Sequence, residues 1–322
     1  MMKSTCTELK MSKLDMSWGS PAFLIPYWDI TPIKTDDVKK PEVYQFGSRK
    51  QLKEKILELH QLVENANVKD KHVVIGAGAT QIILGLLNVL KLKKSDYAFG
   101  KKITSAWAEP PHFSRFPILA NFAGLDWKKD KNSLTICTIP NNPDGAFSTY
   151  AKCDILDLTY MWPQYTNHIK KYNHPVMVFS LSKATGHAST RIGWAIIKDK
   201  DIAVALEQYI ELASSGLSID AQIKAEKVID SQFKRDFTVF EDGKKTLESR
   251  WETIRRLNRS EAFPFTVLND SGMFLWAEGK CPENIICLPG EALKGQKNQF
   301  RLNIGCSDET FAKFVQMFLT GK

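Results

Sequence analysis

The sequence predicts an α/β fold in which a large domain holds a mostly parallel sheet between helices, with a smaller α/β domain beside it. Short apolar runs alternate with segments of helical length, as in parallel strands joined by helices. Polar clusters stand directly after four of these runs, where the strands would end. From about residue 201 the pattern changes to long helical segments. We therefore expect a large domain at 30–205 and a small domain built from 1–29 and 206–322.

The large domain is predicted to begin with an amphipathic helix, because residues 51–64 carry apolar side chains at helical spacing. The β-branched run at 73–75 ends in glycines and precedes an apolar stretch at 80–90, which indicates a strand, a tight turn and a buried helix. Four more apolar runs bounded by turn-forming residues predict further strands, at 133–140, 153–160, 174–182 and 191–199.

The remainder of the chain is predicted to be mainly helical. Residues 202–216 and 221–258 have helical character, and short strands are predicted at 271–277 and 299–305. We expect these elements to form the small domain together with the N-terminal segment.

Composition narrows the class of protein. The chain has 322 residues, and a hydrophobic content of 43% is enough for one large core or two. The net charge is +8, but the lysines lie in short scattered clusters, so we do not expect nucleic-acid binding. The six cysteines include no C-x-x-C pair, which argues against a metal site and favours free thiols in a reducing compartment. No apolar run suits a signal sequence or a membrane span, so we expect a cytoplasmic protein.

The polar clusters at the strand ends predict where a ligand binds. Ligands of open parallel sheets bind beyond the carboxyl ends of the strands. The clusters that would meet there are GAG at 76–78, NNPDG at 141–145, and the segments 157–160 and 180–183. Their coincidence at four strand ends predicts a single site.

The turn formed by Gly76, Ala77 and Gly78 is suited to an anion. Backbone N–H groups at the start of a helix are unpaired, and the helix dipole favours negative charge there. No Gly-Lys-Ser/Thr follows, so the turn is not a P-loop, and Gln81 occupies the third glycine position of a dinucleotide fingerprint. By itself the motif fits a phosphate turn and a plain tight turn equally well.

The segment from Ser180 to Arg191 is more specific. Lys183 directly follows a predicted buried strand, where burial lowers the pKa of an amine and favours the neutral form that attacks an aldehyde. Ser180 and Arg191 can both face one phosphate, although a polar surface loop is the alternative. Asp157 ends another apolar strand and needs a cationic partner, such as a protonated pyridine nitrogen. A helix cap or a buried ion pair would also satisfy that carboxylate.

Together these segments resemble the alliinase/tryptophan-aminotransferase-related family of fold-type-I pyridoxal-phosphate (PLP) enzymes. The block at 157–199, which contains DLTYMWPQYTNHI and VMVFSLSKATGHASTRIGWAIIKD, carries the most specific similarity. PNNPDG at 140–145 resembles the Asn-Pro-x-Gly turn of aminotransferases, GAGATQ at 76–81 the family's phosphate turn, and PHFSRF at 111–116 its aromatic segment. The similarity extends from about residue 15 to about residue 305.

The resemblance implies a fold-type-I PLP-dependent transferase and a role for each matching residue. Lys183 would form the covalent link to the cofactor and then shuttle the Cα proton, and Asp157 would keep the pyridine nitrogen protonated. The other implied cofactor contacts are Gly76, Ala77, Gly78, Ser180 and Arg191 at the phosphate, Asn142 and Tyr160 at the ring hydroxyl oxygen, and Phe113 on the ring face.

Two more residues follow from the resemblance. Tyr44 would reach the phosphate of a neighbouring subunit, which implies a homodimer, and Arg301 would bind the substrate carboxylate through its planar fork. Ordinary aromatic packing is the alternative for Phe113 and Tyr44, and a surface position is the alternative for Arg301.

The same residues serve two reactions, transamination to a 2-oxo acid and β-elimination of the alliinase type. We expect an aminotransferase acting on an L-amino acid, because the sequence shows neither the secretory nor the cysteine-rich features of the plant lyases. Trp18, Phe23, Tyr27 and Trp28 favour an aromatic substrate if they line the pocket, and core packing is their alternative role. The connection between 145 and 157 is short for the family, and the C-terminal domain looks trimmed, which affects the expected substrate pocket most.

Two other classes of function are compatible with parts of the sequence. A nucleotide-binding oxidoreductase would use the turn at 76–80 and an acidic residue about twenty positions further on, where Asp96 stands. That hypothesis leaves Lys183, Asp157 and Arg191 unexplained. A non-catalytic relative is disfavoured because every matching cofactor position is chemically intact.

Overall fold

The computed structural model describes residues 13–27, 47–95, 102–147 and 153–319. Its strands are β1 (Leu14–Asp15), β2 (His72–Gly76), β3 (Ser105–Trp107), β4 (Asp126–Trp127), β5 (Ser133–Thr138), β6 (Ile155–Asp157), β7 (Val176–Ser180), β8 (Gly193–Ile197), β9 (Phe265–Val267), β10 (Phe274–Gly279), β11 (Ile285–Ile286), β12 (Leu288–Pro289) and β13 (Gln299–Asn303). Its α-helices are α1 (Lys50–Val63), α2 (Ala79–Lys94), α3 (Phe116–Phe122), α4 (Leu181–Thr185), α5 (Lys200–Ser214), α6 (Ile219–Lys234), α7 (Thr238–Arg259) and α8 (Asp308–Leu319). Within the described part of the chain, no helix is long and apolar enough to cross a membrane.

Seven strands form one large sheet in the order β2-β8-β7-β6-β5-β3-β4. β8 runs antiparallel to both of its neighbours, and the other six strands share one direction. The predicted, mostly parallel sheet is therefore confirmed. The five strands and two helices predicted between residues 51 and 199 are all present, with ends that shift by a few residues, and β3, β4, α3 and α4 are additional elements.

Helices cover both faces of this sheet, which explains the continuous apolar runs in the sequence. In β7, Val176 and Val178 face the layer formed with α2, α3 and α5. Met177 and Phe179 face the opposite layer, which α1, α6 and α7 complete. All four side chains are buried. A strand with both faces covered requires apolar residues at every position, so it shows no polar alternation.

Strand register aligns the carboxyl ends of the parallel strands. Gly76 at the end of β2 and Ser180 at the end of β7 both lie opposite Gly193, the first residue of β8. Thr138 at the end of β5 lies opposite Asp157 at the end of β6. The polar clusters that the sequence places after these strands therefore meet at one edge of the sheet.

The C-terminal part of the chain builds a four-stranded antiparallel sheet in the order β12-β13-β10-β9. β1 pairs in parallel with β11, which brings the N-terminal segment to this part of the molecule. The helical stretch predicted at 221–258 is two helices, because Asp236 and Phe237 adopt left-handed backbone angles between them, with φ of 46° and 61°. α5 crosses the predicted domain boundary at 205, and that boundary stays a prediction.

Candidate active site

A cavity of about 940 Å³ opens at the carboxyl ends of the parallel strands. A cavity of this size accepts a small organic ligand. Residues from strands, helices and the N-terminal segment contribute to its walls. The predicted site residues that line it are Ala77, Phe113, Asn142, Asp157, Tyr160, Ser180, Lys183, Arg191 and Arg301. The structure thus brings together nine side chains or turn residues that are widely separated in the sequence.

The glycine turn between β2 and α2 uses two of its N–H groups internally. The Ala77 N–H donates to Gln81 Oε1 at 2.7 Å, and the Gly78 N–H donates to Gly76 O at 2.7 Å. The N–H groups of Ala79 and Thr80, which begin α2 and line the cavity, have no carbonyl partner within the helix. Donors for an anion therefore lie just beyond the predicted glycines, and the first-turn rule for helices could have found them.

Glycine is required at two positions around this turn. A Cβ atom on Gly78, whose φ is 84°, would lie 2.2 Å from Arg191 Nη2. A Cβ atom on Gly193 would lie 2.4 Å from the backbone nitrogen of Ala79. The missing side chains let the guanidinium and the start of α2 approach each other closely. Arg191 Nη1 donates to Ala188 O at 2.9 Å, which fixes its orientation.

Lys183 lies in α4, a short helix that follows β7 directly. The hydroxyl of Ser180 caps this helix by accepting from the N–H of Ser182 at 3.2 Å. The Lys183 amine donates to Gly19 O and lies 5.7 Å from the centre of the Tyr160 ring. Burial, followed by repulsion from two arginines, lowers the pKa of Lys183 to about 7.

Asp157 is buried at the end of β6. Its Oδ1 accepts hydrogen bonds from the N–H of Thr159, at 3.1 Å, and from the Thr159 hydroxyl. Burial raises the pKa of the Asp157 carboxyl to about 6, although Thr159 and the Lys183 amine oppose the rise. A cationic group bound beside this carboxylate would offset the cost of burying its charge.

A buried network joins three of the predicted residues. Asn142 Nδ2 donates to the Tyr160 hydroxyl at 3.2 Å, and Arg301 Nη1 donates to Asn142 Oδ1 at 2.8 Å. The Arg301 guanidinium lies 4.0 Å from the centre of the Phe274 ring. Burial lowers the pKa of Arg301 to about 10 and raises that of the Tyr160 phenol. Arg301 is therefore buried, and the alternative that it lies on the surface is wrong.

Residues 17–20, which we call the N-terminal strap, form one wall of the cavity. Three side chains donate to its carbonyl oxygens: Lys183 Nζ to Gly19, Arg301 Nη2 to Ser17 at 2.8 Å, and Asn303 Nδ2 to Ser20 at 2.8 Å. Apart from the predicted Trp18, no local sequence pattern points to this strap, because its partners lie far away in the chain.

Asp15 holds the strap in shape. Its carboxylate accepts from the N–H and hydroxyl of Ser17, at 3.0 and 2.7 Å, and from Trp18 Nε1 at 2.9 Å. The Trp18 indole is oriented by this bond although the residue is 70% exposed. An exposed aromatic ring fixed at the wall of a cavity is well placed to contact a ligand.

The other predicted aromatic residues have different surroundings. Phe113 lines the cavity and packs edge-on against Phe116, with ring centres 5.5 Å apart. Phe23 is buried in the core, and the Tyr27 hydroxyl bonds to Thr246, so these two residues pack the fold instead of lining the cavity. The predicted positions Tyr44, Trp28 and Asp96 lie outside the described residues.

Comparison with known proteins places the chain among characterised families. Residues 19–271 match the family model described as Allinase. Tryptophan aminotransferase-related protein 2 of Oryza sativa subsp. japonica is 34% identical over 64% of this chain and 46% of that protein. Alliin lyase 1 of Allium sativum is 30% identical over 83% of this chain and 61% of that protein. The chain spans less than half the length of the Oryza relative and of a second tryptophan aminotransferase-related protein, from Arabidopsis thaliana.

Solved structures share the fold. An aminotransferase from Staphylococcus aureus superposes with a TM-score of 0.74 at 16% identity, over 99% of this chain and 96% of that chain. The aspartate aminotransferase of Thermus thermophilus with maleate gives a TM-score of 0.75 at 14% identity, over 95% and 91%. At these identities the likeness establishes the fold alone, and it is the fold-type-I architecture that the sequence predicted.

Proposed function

The chain belongs to the alliinase family, whose members use pyridoxal phosphate, and we propose that it is an aminotransferase that moves an amino group from an L-amino acid to a 2-oxo acid. The proposal depends on the spacing between the Lys183 amine and the Arg301 guanidinium. A Cβ atom built on Gly19 lies 3.8 Å from Lys183 Nζ and 3.7 Å from Arg301 Nη2. The amine and the guanidinium therefore face one small volume. A substrate carboxylate bound to Arg301 would bring the substrate Cα next to the amine.

The phosphate end of PLP fits the turn at α2. Ala79 and Thr80 offer backbone N–H groups, Ser180 a hydroxyl and Arg191 a guanidinium, and the absence of a Cβ on Gly78 leaves room for them to converge. This donor set is the one that a dianionic phosphate requires.

The ring end of PLP fits the residues at the ends of β5 and β6. Asp157 would hold the proton on the pyridine nitrogen, and a raised carboxyl pKa is what a site that awaits a cation would show. Asn142 and Tyr160 would bind the ring hydroxyl oxygen, and Phe113 would cover a ring face. When bound, PLP supplies the electron sink for bond breaking at the substrate Cα.

The chain's own residues would do the remaining work. The Lys183 amine, with a pKa of about 7, is largely neutral just above neutral pH and can accept the Cα proton there. Arg301 would orient the substrate by its carboxylate, while Asn142 holds one edge of the guanidinium. The N-terminal strap would close the cavity over the reacting atoms and exclude water.

Transamination is favoured over β-elimination by the relatives. The highest identities, 34% and 35%, belong to tryptophan aminotransferase-related proteins, whereas two further proteins of that name, at 29% and 28%, lie beside the alliin lyases at 30%. The fixed indole of Trp18 at the cavity wall supports a substrate with a large flat side chain. Family membership removes support for the nucleotide-binding oxidoreductase.

The test has two parts. Purified wild-type protein should be yellow with bound PLP, and Lys183→Ala should lose the absorption band of the lysine-linked cofactor. A panel of amino acids, with and without a 2-oxo acid acceptor, should then yield keto acid only when the acceptor is present. Ammonia and pyruvate released without an acceptor would establish elimination instead. A colourless wild-type protein that fails to take up PLP would overturn the whole proposal.

We further propose that the enzyme is a cytoplasmic homodimer in which Tyr44 of each subunit reaches the other's phosphate site. The homodimer rests on the sequence resemblance, since Tyr44 lies outside the described residues, and the cytoplasmic location rests on the scattered cysteines and the lack of a suitable apolar run.

A further inference from the structure

Lys183 lies in a helix that is too short to supply hydrogen-bond partners for all of its own backbone carbonyl groups. α4 spans only Leu181–Thr185 and ends at Gly186, which has a φ of 84°. The last carbonyl groups of any helix lack partners within it, and those of Lys183 and Ala184 fall in this class. Both carbonyls lie in buried or part-buried surroundings, where an unpaired oxygen is costly.

Two buried side chains satisfy these carbonyls. Gln164 Nε2 donates to Lys183 O at 3.1 Å and to Ala184 O at 3.0 Å, and the Tyr165 hydroxyl donates to Lys183 O at 2.8 Å. Gln164 is 1% exposed and Tyr165 is 5% exposed. Apolar side chains of similar size would fill this space without the cost of burying polar groups. The hydrogen bonds are therefore what these residue types provide.

Gln164 and Tyr165 belong to the segment that also carries the cofactor-ring residues. They follow Tyr160 and Asp157 closely in the chain, and the Tyr165 ring packs edge-on against Tyr160 with centres 5.9 Å apart. The segment after β6 therefore grips the backbone of the lysine that follows β7. We propose that Gln164 and Tyr165 are positioning residues, which fix the Lys183 backbone and so set the place of its amine relative to Asp157 and Tyr160.

The backbone grip complements a contact at the other end of the side chain. In the chain alone, the Lys183 amine is held by Gly19 O. That contact is exchanged whenever the amine binds another group, whereas the two bonds to Lys183 O involve no reacting atom. The bonds from Gln164 and Tyr165 therefore persist while the amine changes partners, and they hold the backbone of Lys183 in one place.

If the Lys183 backbone is held less firmly, the pKa of the Lys183 amine should rise. The amine owes its lowered pKa to burial and then to the nearby guanidinium groups of Arg301 and Arg191. Movement away from that position reduces burial and the repulsion by the guanidinium groups, which together outweigh the opposing attraction of Asp157, so the pKa rises toward the ordinary value for lysine. A role confined to helix stability would lower the melting temperature and leave this pKa unchanged.

The experiment measures how fast the PLP-free full chain recombines with PLP as a function of pH. Only the neutral amine attacks the aldehyde, so the wild-type rate should rise with a midpoint near pH 7. Tyr165→Phe and Gln164→Met should each raise this midpoint by about half a pH unit, and the double variant by more. In steady state, kcat should fall on the order of tenfold with little change in KM, because a small misplacement of a reacting group costs that much.

Tyr209→Phe is the matched control, since it removes a hydroxyl of α5 that accepts a bond from Asn88 Nδ2 of α2, and neither residue is among those that line the cavity. It should leave both the midpoint and kcat unchanged. An unshifted midpoint in both single variants, with an unchanged kcat, would overturn the inference, and the single variants decide the matter if the double variant does not fold. The inference rests on Lys183 being the cofactor lysine. That premise fails separately, if Lys183→Ala leaves the absorption band of the wild-type protein intact.

Discussion

The two walls of the cavity are built in different ways. The cofactor wall is fixed by strand register, with Gly76, Gly193 and Ser180 side by side in neighbouring strands. The strap wall has no strand partner at residues 17–20 and is held by side chains that donate to its carbonyl oxygens.

Because the two walls are held by different bonds, one wall keeps its contacts when ligands bind and the other exchanges them. Backbone ladders between buried strands do not open without unfolding the sheet, so the phosphate turn is preformed. The carbonyl bonds of the strap use the Lys183 amine, proposed to link the cofactor, and the Arg301 guanidinium, proposed to bind the substrate carboxylate. Linking of the cofactor to Lys183 and substrate binding to Arg301 would therefore replace existing contacts on this wall, whereas phosphate binding on the other wall would add new ones.

The largest expected effect comes from breaking the cofactor wall. In Gly193→Ala the new Cβ would lie 2.4 Å from Ala79 N and 2.5 Å from Gly78 C, and both are backbone atoms. Overpacking of this kind costs about 1–3 kcal/mol. The strain falls on the backbone whose N–H groups would bind the phosphate, so we expect PLP affinity to fall about tenfold to a hundredfold. Titration of the PLP-free protein measures this. Gly19→Ala in the strap, where the nearest atom is 3.5 Å away, should keep the wild-type PLP affinity. Equal losses in the two variants would contradict the comparison.

The next effect comes from the strap wall. Arg301→Lys removes the planar fork that bonds both Asn142 and Ser17. The KM for the amino acid should rise about tenfold, because lysine keeps the charge but loses one hydrogen bond to the carboxylate, which contributes about 1.5 kcal/mol. PLP affinity, measured by the same titration, should stay close to that of the wild type. A parallel loss of PLP affinity would show that the two walls are not independent.

The smallest expected effect comes from a change that alters the shape of the strap. Asp15→Ala removes the acceptor for Ser17 and for the Trp18 indole. Hydrogen bonds of this kind contribute about 1 kcal/mol, so the KM for an aromatic amino acid should rise about fivefold. The KM for alanine, whose side chain does not reach the indole, serves as the internal control and should not change. An equal rise for both substrates would mean that Trp18 does not select the side chain.

The sequence predicts the cofactor wall well, because the signals are local. Continuous apolar runs mark strands covered on both faces, and the residues that follow them must lie at one edge. Lys183 and Asp157 could be placed by this rule alone. The glycine turn was predicted in the right place, but its free donors are at Ala79 and Thr80, because Gln81 folds back onto the Ala77 N–H.

The strap wall could not be predicted in the same way. Its bonds join residues 17–20 to Lys183, Arg301 and Asn303, and no periodicity reports a contact across such sequence distances. The split of the 221–258 helix has a similar cause. Aspartate enters the left-handed region more readily than most residues but phenylalanine does not, so the local sequence does not predict the break at Phe237.

The reversed strand β8 has a consequence for the assembly of the protein. Gly193 lies between Gly76 and Ser180, so the two sides of the phosphate turn are joined only after the chain has passed through β7 and doubled back. A nascent chain that ends before Ile197 lacks the complete pairing of β8 with β2 and β7, even if its earlier strands have formed. We therefore expect the phosphate site to form only after β8 has been synthesised.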